Sequence, residues 1–597
     1  MKGINHNRKR RLPGSSTAPR QKPATPVKNV KTISDSRGKG YTRPLLVAVI
    51  LLITFAAYFP SLNNDLLKTW DDQAYITNNT LIKTLSAESI LKIFKEDKGM
   101  YANYHPLTTL SLAVNYHFSK EEPFGYHLVN LLLHLLNTLL VFVFIYFLTR
   151  KNLEIAAVAA LLFGLNPMHV ESVAWISERK DVLYAFFFLA SVVSYQQFLR
   201  RSDWKWYALT LFLFLCSMLS KAMAASLPLV LILIGFMETR RWSWKLLPDK
   251  IPFFIIALLL GLYAIRIQAE GNAIGSITFP LGMRILHACY GYALYILKIF
   301  IPVGLSAFYP YPYPLINASW ITNTMPPVLY ITLPVTLVIF IFSLWALASG
   351  KKTLQAAGFG LLFYGVTIAM VLQFLPVGRA IMADRYAYIP SVGLALIPAF
   401  IASLLYAKKN WRTPVIVMLA LYAGFLFYQT RQQTRLWKND GTLWSNVIDL
   451  YPADSRVTLA YSNRAQYLQS EGKPREALQD MLLVAQWNPK DDNALDRIGR
   501  IYGKDMHDLQ GSIRYFQMAY QLNPKNLDAI IDLATVYGMT GDFNRSLEFS
   551  LKGLEIDKND AALLYNAGIT YSNLGQVKLG KDYMDRAIKT DPSLNRH

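Results

Sequence analysis

Residues 126–149 read YHLVNLLLHLLNTLLVFVFIYFLT, and this stretch decides the fold class of the chain. It is long enough for a membrane-spanning helix, which needs roughly 17 to 25 mostly apolar residues. Comparable runs recur from residue 44 to about residue 430. A buried core helix of a large soluble protein would explain one such run but not a long series of them. We therefore predict a polytopic α-helical membrane domain.

Working outward from this stretch, about eleven runs are expected to span a membrane. They lie at 44–62, 126–149, 153–170, 181–199, 205–220, 222–237, 251–267, 327–348, 354–375, 388–406 and 413–430. Connections rich in Lys and Arg are expected to face the cytoplasm. Those connections are Arg150-Lys151, Arg200-Arg201, Arg240-Arg241, Lys351-Lys352 and Lys408-Lys409. With eleven spans they all fall on one side, and the C-terminal tail falls on the other.

A further apolar segment, 284–301, complicates this count. As a twelfth span it would invert the orientation of all later spans. It carries Arg284, His287 and Lys298 together with several tyrosines. Because such residues suit a polar boundary better than lipid, we expect a re-entrant or interfacial segment here.

The first 43 residues have a different composition. They hold twelve Lys and Arg against a single acid, Asp35, within a chain of net charge +22. They are also rich in Pro, Ser and Thr, which indicates a disordered tail. Since a membrane span comes directly after them, a cytoplasmic anchor attracted to anionic lipid is favoured over nucleic-acid binding. The two cysteines, Cys216 and Cys289, support neither a disulfide framework nor a cysteine metal site.

The C-terminal part shows an internal repeat. Pro489, Pro524 and Pro592 are separated by 35 and then 68 residues, which indicates a period close to the ~34 residues of a tetratricopeptide repeat. We expect an α-solenoid of such repeats rather than an ordinary helical bundle. The whole chain is thus predicted to be all-α. Its expected parts are a basic tail at 1–43, a transmembrane domain at 44–435 and a repeat domain at 436–597.

Adjacent carboxylates come after the first span, in the segment TWDDQAYITNN at 69–79. Asp71 and Asp72 could bind a divalent metal or supply a general base, since burial or a second acid can raise a carboxyl pKa. An acidic pair that merely begins a helix is the alternative. Their position directly after a span, between Trp70 and Tyr75, favours a functional role.

A second charged cluster lies in the segment NPMHVESVAWISERKDVL at 166–183. Its members are Glu171, Glu178, Arg179, Lys180 and Asp181. Charges this close to lipid are costly unless they are paired or functional. Arg179 could hold phosphate oxygens through its fork of donors. An ion cluster that satisfies only itself is the alternative.

Two further segments carry candidate site residues. The segment 377–390 carries Arg379, Asp384 and Arg385, which suit a lipid-linked phosphate unless the arginines only extend toward the membrane surface. The segment 103–118 has apolar residues at helical spacing, as in an amphipathic helix on a membrane. The flanking His105 and His117 lack the spacing of a zinc site, so we interpret them as polar neighbours of the site.

Together these segments resemble the membrane-and-tetratricopeptide O-mannosyltransferases, within the GT-C glycosyltransferases that use polyprenyl-phosphate-linked sugars. The resemblance covers nearly everything from Trp70 to the C-terminus. It rests on WDDQAYITNN, YHPLTTLSLAVNYHF, FGYHLVNLLLHLLNTLLVF, NPMHVESVAWISERKDVL, ADRYAYIPSVG and the tail repeats. The absence of a GxxxxGK[ST] or GxGxxG motif agrees with a donor anchored in lipid rather than a soluble nucleotide.

The resemblance implies an inverting transfer of a sugar, with mannose suggested, to Ser or Thr hydroxyls of proteins. It assigns roles to six residues. The implied catalytic residues are Asp71 and Asp72, those holding the donor phosphate are Arg179 and Arg385, and those in support are Glu178 and Asp181. His105, interpreted above as a polar neighbour, is added to the supporting residues. One aspartate would accept the hydroxyl proton, and the repeats would guide the protein acceptor. Arginines can neutralise a lipid phosphate, so no metal is required, although the paired carboxylates leave a divalent metal open.

The chain differs from other protein mannosyltransferases, and two other functions are alternatives. The chain lacks the β-trefoil insert of better-known protein mannosyltransferases, so their acceptor rules do not carry over. The sequence leaves open the sugar, the acceptor, the identity of the base and the oligomeric state. The short basic tail favours a bacterial inner membrane over the endoplasmic reticulum, with the repeats outside the cytoplasm. A lipid-linked glycan ligase or polymerase, and a non-catalytic scaffold that binds proteins through its repeats, are the alternatives.

Overall fold

The computed structural model describes Gly3 and residues 42–96, 103–240, 242–270, 279–313, 326–374 and 378–596. The basic tail expected at 1–43 therefore lies almost entirely outside the described residues. The chain divides into two units, Met1–Leu45 and Leu46–His597. Nearly all of the described residues belong to the second unit.

Helices dominate the described residues. The first fifteen are α1 (Thr42–Tyr58), α2 (Ala87–Glu96), α3 (Pro106–Ser119), α4 (Pro123–Leu148), α5 (Leu153–Gly164), α6 (Val170–Ala174), α7 (Arg179–Arg201), α8 (Trp204–Ser220), α9 (Leu227–Thr239), α10 (Ile251–Glu270), α11 (Leu281–Phe300), α12 (Pro327–Ala348), α13 (Lys352–Ile368), α14 (Pro390–Tyr406) and α15 (Arg412–Leu436). The next nine are α16 (Asp440–Leu450), α17 (Thr458–Ser470), α18 (Pro474–Trp487), α19 (Asp492–Arg500), α20 (Leu509–Leu522), α21 (Leu527–Met539), α22 (Phe543–Ile556), α23 (Ala561–Asn573) and α24 (Val577–Thr590).

Eight helical stretches of the described residues are long and apolar enough to cross a membrane, against the eleven expected. The other three expected spans are shorter or bent. α8 and α14 have 17 residues each, the lower limit for a span. α5 and the segment Pro167–Ala174 form a pair bent by 52°, and a ninth span results if the pair is counted as one. The bend has a local cause, because the Asn166 side chain caps a new turn and Pro167 has no N–H to continue the helix.

α11 covers most of the segment 284–301, is not among the described helices apolar enough to cross a membrane, and contains no re-entrant break. It is one uninterrupted helix of 20 residues. Just before its start, the Phe279 ring lies 5.3 Å from the Tyr311 ring. At its end, the Asn166 amide donates to the Ile299 carbonyl at 3.2 Å. Both contacts are with segments next to the charged cluster, so both ends of α11 lie on one side of the bundle.

A two-stranded ribbon is the exception to an all-α fold. β1 (Tyr309–Pro310) pairs antiparallel with β2 (Ala380–Met382), with Tyr309 opposite Met382. The pairing holds the segment after α11 against the loop before α14. It thereby positions Asp384 and Arg385 beside the bent segment after α5.

The predicted repeats are present as four helical hairpins, α17–α18, α19–α20, α21–α22 and α23–α24. Their first helices begin 34, 35 and 34 residues apart, as the sequence period predicts. The last three hairpins begin with a side-chain cap, supplied by Asp491, Asn526 and Asp560. Small residues allow close helix contact, since a Cβ on Gly568 would lie 2.9 Å from the Gly580 carbonyl oxygen.

Candidate active site

Four segments meet at one end of the bundle and bring buried charges together: the loop after α1, the segment around α6, the α8–α9 connection and the loop before α14. Glu178 is the central residue and is 1% exposed. Its carboxylate lies 3.0 Å from Lys180 Nζ, 3.5 Å from Lys221 Nζ and 3.3 Å from Arg385 Nε. One carboxylate is thus shared by three cations.

Two more carboxylates complete this network. Arg385 donates from its guanidinium to Glu171, and its backbone N–H donates to the same carboxylate at 2.9 Å. Lys221 is ion-paired with Asp181, which also accepts from the Ser172 hydroxyl at 3.3 Å. The three cations therefore face three carboxylates. Buried ions are tolerated when each is paired in this way, because their mutual attraction then offsets the loss of hydration.

Asp72 holds the loop in place. It is 1% exposed. One of its oxygens accepts from the Ser177 backbone N–H at 2.9 Å and from the Ser177 hydroxyl, and the other accepts from the Leu67 N–H at 2.9 Å. Burial raises the pKa of Asp72 to about 7, although these hydrogen bonds oppose the rise. With both oxygens engaged, Asp72 is poorly placed to take a proton from a substrate.

Asp71 has a different environment. Its side chain is half-buried and makes no hydrogen bond or ion pair within the described part of the chain. Burial raises its pKa; Lys180 and Arg385 oppose the rise and Glu178 adds to it. Asp71 is therefore a free carboxylate at the edge of the ion network, with an affinity for protons above that of an ordinary aspartate.

Arg179 does not join this network. It is buried, and each of its three nitrogens donates to a protein oxygen. The acceptors are Asn130, Ser111, Asn115 and the Tyr126 carbonyl. Arg179 fastens α7 to α3 and α4, so the phosphate-holding role expected for it does not fit this position. Successive side chains of a helix point about 100° apart, so Lys180 contacts Glu178 while its neighbour Arg179 contacts α3 and α4.

His105 lies beside the cluster but carries no positive charge there. It is 7% exposed, and its Nδ1 has no hydrogen-bond partner among the described residues. Burial, with added repulsion from Lys180 and Lys221, lowers the pKa of His105 to about 3. A neutral imidazole at this place could accept or donate one hydrogen bond to a ligand. His117, at the other end of α3, is exposed and lies outside the site.

In the loop before α14, Arg385 belongs to the charged cluster and Asp384 contacts the ribbon. Arg385 keeps 18% of its side chain exposed in spite of its ion pairs. Asp384 is buried and accepts from the Tyr309 hydroxyl at 2.8 Å, so it anchors the ribbon. Arg379 is exposed and lies apart from the cluster.

Lys221 was not singled out by the sequence. It is 8% exposed, between α8 and α9, and is held there because the Thr108 hydroxyl donates to the Ser220 carbonyl at 3.0 Å. A signal was present, since it is a lone lysine between two apolar runs and such a charge is costly unless it is paired. Its partners could not be found from spacing, because Glu178 and Asp181 lie about 40 residues earlier.

A wall of tryptophans borders the charges. The Trp70 ring lies 4.2 Å from Trp175 and 4.9 Å from Trp444, the latter in α16. The Arg385 guanidinium carbon lies 5.5 Å from the Trp175 ring centre. Asp440, at the start of α16, accepts from the Lys68 N–H at 2.8 Å. The first helix after the membrane domain is thereby joined to the loop that carries Asp71.

The described residues contain no group of three or more His, Cys, Asp or Glu side chains arranged to hold a metal ion. What the site offers instead is a free carboxylate, cations with partly exposed donors and an aromatic wall. Such a set can accept a proton and hold an anionic group. Trp175 and Trp444 are buried, so these rings support the loop that carries Asp71.

Comparison with known proteins finds similarity in two parts of the chain. The family model described as dolichyl-phosphate-mannose-protein mannosyltransferase matches residues 48–273, and a tetratricopeptide repeat model matches 561–594. The human protein O-mannosyl-transferase TMTC3 is 22% identical over 92% of this chain and 68% of its own length. The human protein O-mannosyl-transferase TMTC1 is 25% identical over 79% of this chain and 58% of its own length. The chain thus spans about three fifths to two thirds of these relatives.

Likeness to solved structures is weaker. The crystal structure of MamA aligns with 26% of this chain and 91% of its own, at 18% identity and a TM-score of 0.24. A score this low supports no conclusion about function.

Proposed function

We propose, from the premise that this chain is homologous to the TMTC-type protein O-mannosyl-transferases, that it is a membrane glycosyltransferase. It moves one sugar, with mannose the first candidate, from a polyprenyl-phosphate donor to Ser or Thr hydroxyls of a protein. The observation that carries the proposal is the carboxylate of Asp71, which makes no hydrogen bond among the described residues and lies near the cations Lys180 and Arg385.

Asp71 acts as the general base in this proposal. The acceptor hydroxyl oxygen attacks the anomeric carbon and forms the new glycosidic bond. Its proton passes to the Asp71 carboxylate. The bond between the anomeric carbon and the lipid phosphate oxygen breaks, and its electrons leave with the phosphate. One displacement of this kind inverts the anomeric centre.

Asp72 takes a positioning role instead of a catalytic one. It binds Ser177 and Leu67 through both oxygens, and so sets the place of its neighbour Asp71. The choice between two adjacent aspartates thus rests on their hydrogen bonds, since a base needs an oxygen free to receive the proton.

Arg385 is the residue proposed to hold the departing phosphate. It is the most exposed of the three cations in the network, with 18% of its side chain accessible against 7% for Lys180 and 9% for Lys221. Its Nη1 and Nε are engaged by Glu171 and Glu178, so Nη2, which lies 3.5 Å from the Tyr386 hydroxyl, is the nitrogen left to bind a phosphate oxygen. Glu171 and Glu178 orient this guanidinium, and the two lysines add positive potential behind it.

The repeats are proposed to guide the protein acceptor. Asp440 and Trp444 in α16 contact the loop that carries Asp71, so a segment held by the hairpins emerges near the site. The basic ends of the bundle are proposed to face the cytoplasm and the site to face the opposite side, in a bacterial inner membrane. A eukaryotic chain of this kind would occupy the endoplasmic reticulum.

Transfer from radiolabelled polyprenyl-phosphate mannose to membrane protein tests the proposal. Wild type should label protein, and Asp71→Asn should lower the rate by at least about a hundredfold. Asp65→Asn is the matched control, because Asp65 is an exposed acid of the same loop. Equal labelling by wild type and Asp71→Asn would refute the assigned base. Background labelling by folded wild-type protein across several sugars, with protein binding retained, would favour the scaffold alternative.

A further inference from the structure

A cavity of about 700 Å³ opens at the end of the bundle opposite the candidate active site. It lies where α4, α9 and α12 end and where α5 and α13 begin. α7 connects the two ends of the bundle. It begins next to Glu178 in the candidate active site, and near its last residue the Arg200 guanidinium donates to the Phe147 carbonyl, close to this cavity.

Three basic side chains from separate connections line this cavity: Arg150, Arg240 and Lys352. Arg150 and Arg240 are close enough for their charges to repel, and burial together with that repulsion lowers the pKa of Arg240. The Arg240 Nη1 atom is buried and has no hydrogen-bond partner among the described residues. A buried guanidinium nitrogen without an acceptor is costly, and an anion bound to it would relieve that cost.

Carboxylates of the described part do not supply that anion, since none lines the cavity. The two nearest acids have other partners. Glu154 accepts from the Ser403 hydroxyl at 3.0 Å, and Glu238 lies 3.5 Å from Arg200. Glu238 favours the charged form of Arg240 by electrostatic attraction.

The rest of the lining is mixed. The side chains of Thr149, Asn152, Ser349, Gln355 and Ser403 form its polar part, and an apolar wall is formed by Ile155, Met237, Leu396, Phe400 and Leu404. A free anion would gain nothing from such a wall, whereas an anion joined to a hydrocarbon chain would bury the chain against it. Because the cavity lies at the end of helices that are long and apolar enough to cross a membrane, membrane lipids can reach it.

We propose that this cavity binds the phosphate headgroup of an anionic membrane lipid. The phosphate oxygens accept from Arg240 Nη1 and from Arg150 and Lys352, and the first part of the acyl chain lies along the apolar wall. This site is separate from the one that would hold the sugar donor and does not depend on the proposed function.

Lipid retention by the full-length protein in detergent, followed by native mass spectrometry, tests the site. The probes are phosphatidylglycerol and phosphatidylcholine with identical acyl chains, and inorganic phosphate as the tail-free anion. We expect one phosphatidylglycerol bound about tenfold more tightly than phosphatidylcholine, and no displacement by millimolar inorganic phosphate.

The variants form a matched set. Arg240→Gln should weaken phosphatidylglycerol binding about tenfold, because one charge-assisted hydrogen bond is lost. Lys352→Gln should weaken it severalfold, whereas Lys351→Gln, the exposed neighbour outside the cavity, should leave it within twofold. Lys352 is itself exposed, so its variant keeps the test valid even where Arg240→Gln does not fold.

Three results would overturn the proposal. Equal affinity for the two lipids, or equal effects of Lys352→Gln and Lys351→Gln, would exclude a phosphate held by this cavity. Displacement of phosphatidylglycerol by inorganic phosphate alone would assign the cavity to a soluble anion instead of a lipid. Transfer activity at the opposite end plays no part in either readout.

Discussion

Asp72 accepts a hydrogen bond from the Ser177 backbone N–H at 2.9 Å, and this contact joins the loop after α1 to the segment that carries the buried ion pairs. Its other oxygen accepts from the Leu67 N–H at the same distance. The adjacent Asp71 makes no such bond within the described residues. These adjacent carboxylates therefore differ in role, because both oxygens of Asp72 accept hydrogen bonds from backbone N–H groups, whereas the oxygens of Asp71 are available to a substrate.

Substitutions of Asp71 and Asp72 should differ in their effects on stability and on transfer activity. Asp72→Ala leaves two buried N–H groups without an acceptor, so we expect a loss of about 2 to 4 kcal/mol of stability and a lower melting midpoint. Asp71→Ala removes no hydrogen bond and should change stability by less than about 1 kcal/mol while abolishing transfer. Thermal unfolding of both purified variants, beside transfer assays, makes the comparison. A more stable Asp72→Ala protein would contradict the assignment.

The pH dependence of transfer should track the Asp71 carboxyl. Burial raises its pKa above the ordinary value of 3.8. A base acts only when it is ionised, so kcat/KM should fall as the pH falls through this raised pKa. Lys180 lowers that pKa, and Lys180→Met should therefore move the acid limb of the profile to higher pH.

The control for this shift is Lys180→Arg, which keeps the charge and should leave the acid limb close to that of wild type. Full pH–rate profiles of the three proteins are the measurement. If the acid limb of Lys180→Met stayed at the wild-type pH, the group that titrates in the profile would be one other than Asp71.

Arg385 and Arg379 belong to one loop and provide a matched pair. Arg385→Gln removes a cation aimed into the site, and transfer should fall by about a hundredfold to a thousandfold in kcat, the range seen when one donor to a developing anion is removed. Arg379 is exposed and away from the cluster, so Arg379→Gln should retain activity. Similar losses in both variants would indicate a general effect of loop charge.

The ion network should behave as a balanced unit. Lys221→Met leaves Asp181 and part of Glu178 without their cation, which should cost about 3 to 5 kcal/mol because a buried charge becomes uncompensated. The double variant Lys221→Met with Asp181→Asn removes both members of one pair and should recover part of that stability. Melting midpoints of the single and double variants give the coupling, and strictly additive losses would show that the pair is not a unit.

Several features could be predicted from composition and period alone. The apolar runs predict spans because lipid demands about 20 apolar residues in sequence, and that is a property of the local chain. The repeat period predicts the hairpins that begin at Asp492, Leu527 and Ala561 for the same local reason. The charged segments around Asp71, Glu178 and Arg385 could also be chosen as site candidates, since charges beside spans are costly without partners.

Which side chains meet in the site could not be predicted in this way. Arg179 and Lys180 are adjacent in sequence, yet only Lys180 faces the carboxylates, because the start of α7 turns the two side chains in different directions. Lys221 enters the network from a separate connection. The polar residues of α11 led us to expect an interfacial segment, but its partners Tyr311 and Asn166 could not be read from the sequence, because they are brought to its two ends only by the fold.

By itself, the sequence determined that this chain has apolar spans, a helical repeat tail and charged connections, because each of these depends on residues close together in the chain. Only the tertiary structure decided that Asp72 is bound and Asp71 is free, and that Arg150, Arg240 and Lys352 share one cavity. The physical reason is that hydrogen bonds and ion pairs act over a few ångströms in space. Their partners here lie up to hundreds of residues apart, and the packing of helices alone brings them within reach.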